Sequence, residues 1–155
     1  MKIFIQKEKI VNLYKNFYII FVIFLIDYIS KLFIIMNFKE NEYKKIFYIL
    51  NILYVRNYGI AFNFLTQYKK NDFIFLNFFI ISFLIIQMLQ KNEKIYQIII
   101  GGSISNIFDK LYYGFVVDFI DINNNHLHYI IFNFADIMIL FGIVIKLYQL
   151  NKMNK

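Results

Sequence analysis

Four apolar segments, near residues 17–36, 73–89, 95–113 and 129–150, constrain this chain more than any other feature. Each approaches or reaches the roughly 17–25 residues that a helix needs to cross a bilayer core. In hydrocarbon every backbone N–H and C=O must be paired within its own element, so such runs fold as helices. Hydrophobic residues make up 60% of the 155 positions, which is too apolar for a soluble domain of this length. The expected fold is a single integral membrane domain over 1–155, mainly α, with four transmembrane helices. Lys2, Lys7, Lys9 and Lys15 precede the first segment, as in a signal peptide. The apolar run is too long for one and no small-residue cleavage site follows, so the segment reads as a retained helix.

Composition removes several chemistries. Cysteine is absent, which excludes disulfides, thiolate metal sites and a Cys nucleophile. His126 and His128 are the only histidines, and no His/Asp/Glu group has metal-ligand spacing, so neither a metal nor another cofactor is expected. The net charge is +7, but the lysines are scattered around apolar segments and form no basic stripe. Membrane lipid rather than nucleic acid is the expected charged partner.

Counting spans places the functional groups. With four crossings, Lys31, Asn57, Asp109, Asp118, Asn133 and Asp136 all fall on one face or its adjoining half-membrane. The termini and the turn at 90–94 fall on the other. The terminal face carries nine lysines against six basic residues opposite, which puts the termini in the cytoplasm. The stretch 37–72 is too polar to span and too apolar for a free loop. Residues 46–55 read as a strand, with Asn57-Tyr58-Gly59 as a turn. A second hairpin is expected from 116–122 and 127–132 about Asn123-Asn124-Asn125, giving a small sheet on the membrane surface.

The polar clusters carry the chemistry. Asp118 and Asp136 stand in Gly-Phe-Val-Val-Asp-Phe-Ile and Phe-Asn-Phe-Ala-Asp-Ile-Met-Ile-Leu, and a carboxylate at membrane depth marks a functional site by default. Asp136 is expected about two turns into the fourth helix. Two nearby carboxylates cannot both ionise cheaply and share one proton near neutral pH, giving one acid and one base. Asp121, on the opposite face of the same strand, reads as a solvated loop-edge carboxylate. Asp27 and Lys31, at i and i+4, can pair on one helix face, either to neutralise each other or to orient a neighbouring loop. Arg56, Asn57, Gly59 and Ala61 form either an ordinary turn with a snorkelling Arg or a loop whose Asn57 amide and flexible Gly59 bind an extended peptide or a lipid headgroup. Gly101-Gly102 permits close helix approach. Gly102, Asn106 and Asp109 share a helix face, with Lys110 placed to neutralise Asp109 or reach the interface. Ser103 and Ser105 lack a placed base.

Taken together, the chain resembles the lipoprotein signal peptidase (signal peptidase II) family of bacterial inner-membrane aspartic proteases. The matching pieces are Asp27-Tyr-Ile-Ser-Lys31, Arg56-Asn-Tyr-Gly-Ile-Ala-Phe62, Gly101-Gly-Ser-Ile-Ser-Asn-Ile-Phe-Asp-Lys110, Val116-Val-Asp-Phe119 and Phe132-Asn-Phe-Ala-Asp136. They cover nearly the whole chain in the family's order. The resemblance implies four helices with an extracytoplasmic β-cradle and Asp118 with Asp136 as the catalytic dyad. Asp27, Lys31, Arg56, Asn57, Gly59, Gly102, Asn106, Asp109, Lys110, Asn133 and Ala135 are then supporting or substrate-binding residues. The implied reaction cleaves a prolipoprotein just before its diacylglyceryl-modified cysteine, with the enzyme acting as a monomer. The family usually has Arg at Lys110, and lysine keeps the charge without the bidentate fork. The rival reading is a small proton-coupled transporter or channel subunit using intramembrane carboxylates. A third is an inert scaffold in which the aspartates tolerate Asn.

Overall fold

The fold was analysed in a computed structural model that describes residues 2–59, 70–91, 93–124 and 127–153, with side chains placed for 17–59, 77–91, 93–122 and 130–153. In chain order the elements are α1 (Lys2–Asn37), β1 (Tyr43–Lys45), β2 (Leu50–Asn57), α2 (Lys70–Lys91), α3 (Lys94–Tyr112), β3 (Val116–Asn124), β4 (Leu127–Phe132) and α4 (Phe134–Met153). Two helical stretches, Phe17–Asn37 and Phe134–Met153, are long and apolar enough to cross a membrane, and Asn77–Lys91 is a shorter apolar helix. Helix α3 is more polar, carrying Ser103, Ser105, Asn106, Asp109 and Lys110. The fold is mostly helical with one small antiparallel sheet.

Helix α3 is central and packs against α1, α2 and α4. Small residues allow this closeness. A Cβ on Gly102 would stand 2.6 Å from the Ala135 carbonyl oxygen, so α3 can meet α4 here only through glycine. A Cβ on Gly101 would touch Ile23 at 3.0 Å on the α1 side. The apolar part of the core gathers Ile20, Ile81, Met88, Ile95, Tyr96 and Ile100. The burial pattern is otherwise inverted relative to a soluble protein. Asp27, Lys31, Ser105, Asp109 and Lys110 are buried, while Phe21, Phe33, Phe78, Phe79, Leu140 and Leu147 are exposed.

The strands lie in the order β1-β2-β3-β4, all antiparallel. The strand expected over 46–55 is divided. β1 ends at Lys45 and pairs with Asn51, which leaves 46–49 as the connecting turn, closed by the Phe47 N–H on the Leu50 carbonyl at 2.8 Å. The second hairpin forms where expected, with Asn125 and His126 of its turn outside the described residues. Tyr54 and Val117 on one face of the sheet pack against Ile34 at the end of α1. The other face carries Asn57, Val116 and Asp118, since Val55 opposes Asp118 and Asn57 opposes Val116. A bulge between Ile52 and Val55 shifts the register between the two halves of β2.

Helix α4 begins at Phe134 rather than at 129. Tyr129 to Phe132 is an apolar run that suits a strand or a helix equally, and pairing with β3 decides for the strand. Asp136 therefore stands in the first turn of α4, not two turns into it.

Candidate active site

The site is built where α1 ends, α3 ends and α4 begins, beneath the sheet. Asn133 is the residue just before α4, and its Oδ1 accepts the Asp136 N–H at 2.9 Å. The Asp136 carboxylate returns to the Asn133 N–H through Oδ2 at 3.3 Å. Asn133 and Asp136 thus form a reciprocal capping box that starts the helix and fixes the carboxylate at its N-terminus. The same Asn133 side chain donates through Nδ2 to Asp118 Oδ1 at 2.7 Å and to Asn106 Oδ1 at 3.2 Å. One fully buried amide therefore connects both aspartates.

Each carboxylate has a further amide of its own. Asn57 Nδ2 donates to Asp118 Oδ2 at 2.8 Å, from the adjacent strand. Asn106 Nδ2 donates to Asp136 Oδ1 at 2.8 Å, from α3. Asp118 is 3% exposed, and burial, with the Asp136 charge second, pushes its carboxyl up to about 7. A group titrating there can hold or release a proton under ordinary conditions, as an acid–base catalyst requires.

Paired charges behind the amides hold them in place. Lys31 pairs with Asp27 at 2.6 Å and with Asp109 at 2.9 Å, and it donates to Asn106 Oδ1 at 2.8 Å. Asp27 ties three helices together, accepting from Lys31, from Ser105 Oγ at 2.7 Å and from the Ala135 N–H at 2.8 Å. Asp109 also accepts the Val117 N–H at 3.1 Å, anchoring β3 one residue before Asp118. These charges are buried yet paired and hydrogen-bonded, the condition under which a low-dielectric interior tolerates them.

Lys110 has a different role from the expected one. Lys31 neutralises Asp109, while Lys110 reaches the turn after β2. Its Nζ donates to the carbonyls of Asn57, Tyr58 and Gly59 at 3.3, 2.7 and 2.8 Å. The Gly59 N–H donates to Asn57 Oδ1 at 2.9 Å. The turn is held from both sides, which orients the Asn57 amide toward Asp118. Three carbonyls converging on one point suit an ammonium with its three donors. Ile60, Ala61 and Phe62 of the same motif lie outside the described residues.

The structure brings Asp27, Lys31, Asn57, Gly59, Gly102, Asn106, Asp109, Lys110, Asp118, Asn133, Ala135 and Asp136 together at this junction. Arg56 stands apart. It lies on the other face of β2, pairs with Glu40 at 3.2 Å and sits over the Phe115 ring at 5.0 Å. Asp121 is also not as expected. It is fully buried, opposite Asn51 on β2, rather than solvated at a loop edge. Ser105 is a buried partner of Asp27 that the sequence reading set aside. Its signal was position, one helical turn before Asp109 and next to Asn106. Among the described residues, no group of three or more His, Asp or Glu could hold a metal ion.

Residues 19–152 match the family described as signal peptidase (SPase) II. The lipoprotein signal peptidase of Wigglesworthia glossinidia brevipalpis is 40% identical over 142 residues, covering 87% of this chain and 93% of that protein. That of Pasteurella multocida (strain Pm70) is 43% identical over 131 residues, covering 78% and 79%. A solved structure described as a bacterial membrane enzyme shares the fold, with a TM-score of 0.82 at 24% identity over 91% of this chain and 90% of that one. A match that runs through all four helices and the sheet between them leaves one assignment: the chain belongs to the signal peptidase II family.

Proposed function

We propose that this chain is a membrane-embedded aspartic endopeptidase that removes signal peptides from prolipoproteins, with Asp118 and Asp136 as its catalytic pair. The observation that carries the reading is the two carboxylates joined through Asn133, with one of them titrating near neutrality. Asp118 holds the shared proton and Asp136 is ionised at the N-terminus of α4. Asp136 takes a proton from water as the oxygen attacks the scissile carbonyl carbon. Asp118 gives its proton to the carbonyl oxygen. Collapse of the tetrahedral species returns a proton to the departing amine, and the peptide C–N bond breaks.

The whole of 1–155 is one domain, acting as a monomer, with all four helices crossing the bacterial cytoplasmic membrane. Exposed apolar side chains on α1, α2 and α4 around buried charges support that placement. The termini are cytoplasmic and the sheet and dyad extracytoplasmic, from the lysine distribution. The substrate is cleaved before a diacylglyceryl-modified cysteine. Its apolar helix and acyl chains partition into the same lipid, so binding them orients the scissile bond. A proton-coupled transporter would need polar side chains through the full membrane depth. Among the described residues the buried ones, Gln97 apart, lie from mid-helix toward one end of the helices.

Purified chain is incubated with a prolipoprotein in its diacylglyceryl-modified form and, separately, unmodified, and cleavage is read as a gel shift. Cleavage of the modified form alone is expected. Equal cleavage of both would remove the acyl chains from the recognition.

A further inference from the structure

The helices carry a concavity at the end remote from the dyad. α2 and α4 flank α3, and between them lies a groove of about 300 Å³. That is the lower end of the range for small-ligand sites, roughly 300–1,000 Å³. Phe83 and Leu84 on α2, Ile99 on α3 and Ile143 on α4 form its inner part, and Lys91 and Lys146 line its outer part. The polarity has a direction. Both α2 and α4 run toward the face that holds the termini, so along α2 the lining passes from apolar Phe83 and Leu84 through Gln87 to Lys91 at the helix end, while on α4 Lys146 follows Ile143 and is flanked by Leu147 and Leu150. From Phe83 to Lys91 the helix rises about 12 Å.

The basic end is organised. Lys146 pairs with Glu93 and lies over the Tyr96 ring at 5.0 Å, which holds its ammonium at the groove. Lys91 is exposed at the end of α2, and Lys94 follows Glu93 in the chain. Three cations and one anion leave this end net positive. We infer that the groove binds one anionic glycerophospholipid of the leaflet at the terminal face. An acyl chain lies along Phe83, Leu84, Ile99 and Ile143, with the phosphate between Lys91 and Lys146. A lipid already in hydrocarbon gains little from apolar contact, so the lysines supply the selectivity. A choline headgroup brings its own cation against them and is disfavoured.

The inference rests on the membrane placement proposed above, not on the dyad. The test is native mass spectrometry of the full chain in detergent, titrated with phosphatidylglycerol or phosphatidylcholine of identical acyl chains. Wild type is expected to retain phosphatidylglycerol roughly tenfold better, as one or two lysines near a phosphate allow. Lys91→Gln, an exposed change with an unaltered melting temperature, lowers that preference at least threefold. Leu84→Trp fills the groove and lowers retention of both lipids. Asp118→Asn keeps the wild-type preference, so a failed peptidase reading leaves this result interpretable. Equal retention of the two lipids by wild type, or an unchanged preference in Lys91→Gln, overturns the proposal. A lipid-free dimer that Leu84→Trp dissociates would assign the groove to a second copy and also overturn it.

Discussion

Burying Asp118 beside a second carboxylate sets a conflict between stability and chemistry that one substitution can expose. The unfolded carboxyl loses its proton near its ordinary value of 3.8, whereas the folded one keeps it to about 7. Between those values the folded state binds more protons, so stability falls as pH rises from about 4 to about 7 and levels off above. Asp118→Asn lacks this loss. Its melting temperature relative to wild type is therefore expected to rise between pH 5 and pH 8, by the equivalent of a few kcal/mol, in detergent thermal unfolding. A difference that stays constant would mean an Asp118 ionised throughout. Wild-type cleavage is expected to fall as pH rises beyond about 7, when the acid is lost. The Asp27–Lys31 pair was legible in the sequence because its spacing is local. The third and fourth partners, Asp109 and Asn106, were visible as residues but not as partners, since nothing local joins positions so far apart in sequence.

The start of α4 does two things at once. Asn133 caps the helix with its side-chain oxygen and connects the aspartates with its nitrogen. These roles separate chemically. Asn133→Ser keeps a good N-cap acceptor, so the cap itself is retained and the expected loss of stability, about 1–3 kcal/mol, comes from the buried acceptors left without their donor. It removes the amide donor to Asp118 and Asn106, and cleavage is expected to fall at least tenfold. Thermal unfolding beside the gel-shift assay checks both; unaltered cleavage would show that the amide does not position the dyad. Helix existence was readable from apolar length, and the second hairpin from alternation and its Asn turn. The boundary of α4 was not, because Tyr129 to Phe132 carries no preference until β3 offers hydrogen bonds. The capping box itself, Asn-Phe-Ala-Asp, was written in the sequence and would have placed the helix start. Likewise Lys110 beside Asp109 suggested a local ion pair, and only the folded turn at Asn57–Gly59 redirects it to three carbonyls.

At the scale of the whole molecule, buried charge at one end and exposed hydrocarbon around it describe a protein whose solvent is lipid. Counting spans in the sequence had grouped Asn57, Asp118, Asn133 and Asp136, and in the fold hydrogen bonds join them. The absence of cysteine makes the topology directly measurable. A single cysteine at exposed Lys44→Cys or Lys152→Cys has no background thiol. In intact cells a membrane-impermeant maleimide is expected to label position 44 and not 152. The reverse pattern would invert the orientation. The central claim is that two aspartates, and no other groups, perform the cleavage. The most direct measurement is gel-shift cleavage of diacylglyceryl-modified prolipoprotein by wild type, Asp118→Asn and Asp136→Asn, each shown to be folded by circular dichroism. Cleavage by wild type and its loss, by at least a thousandfold, in both variants is the expected result. Substantial cleavage by either folded variant would contradict the shared-proton mechanism.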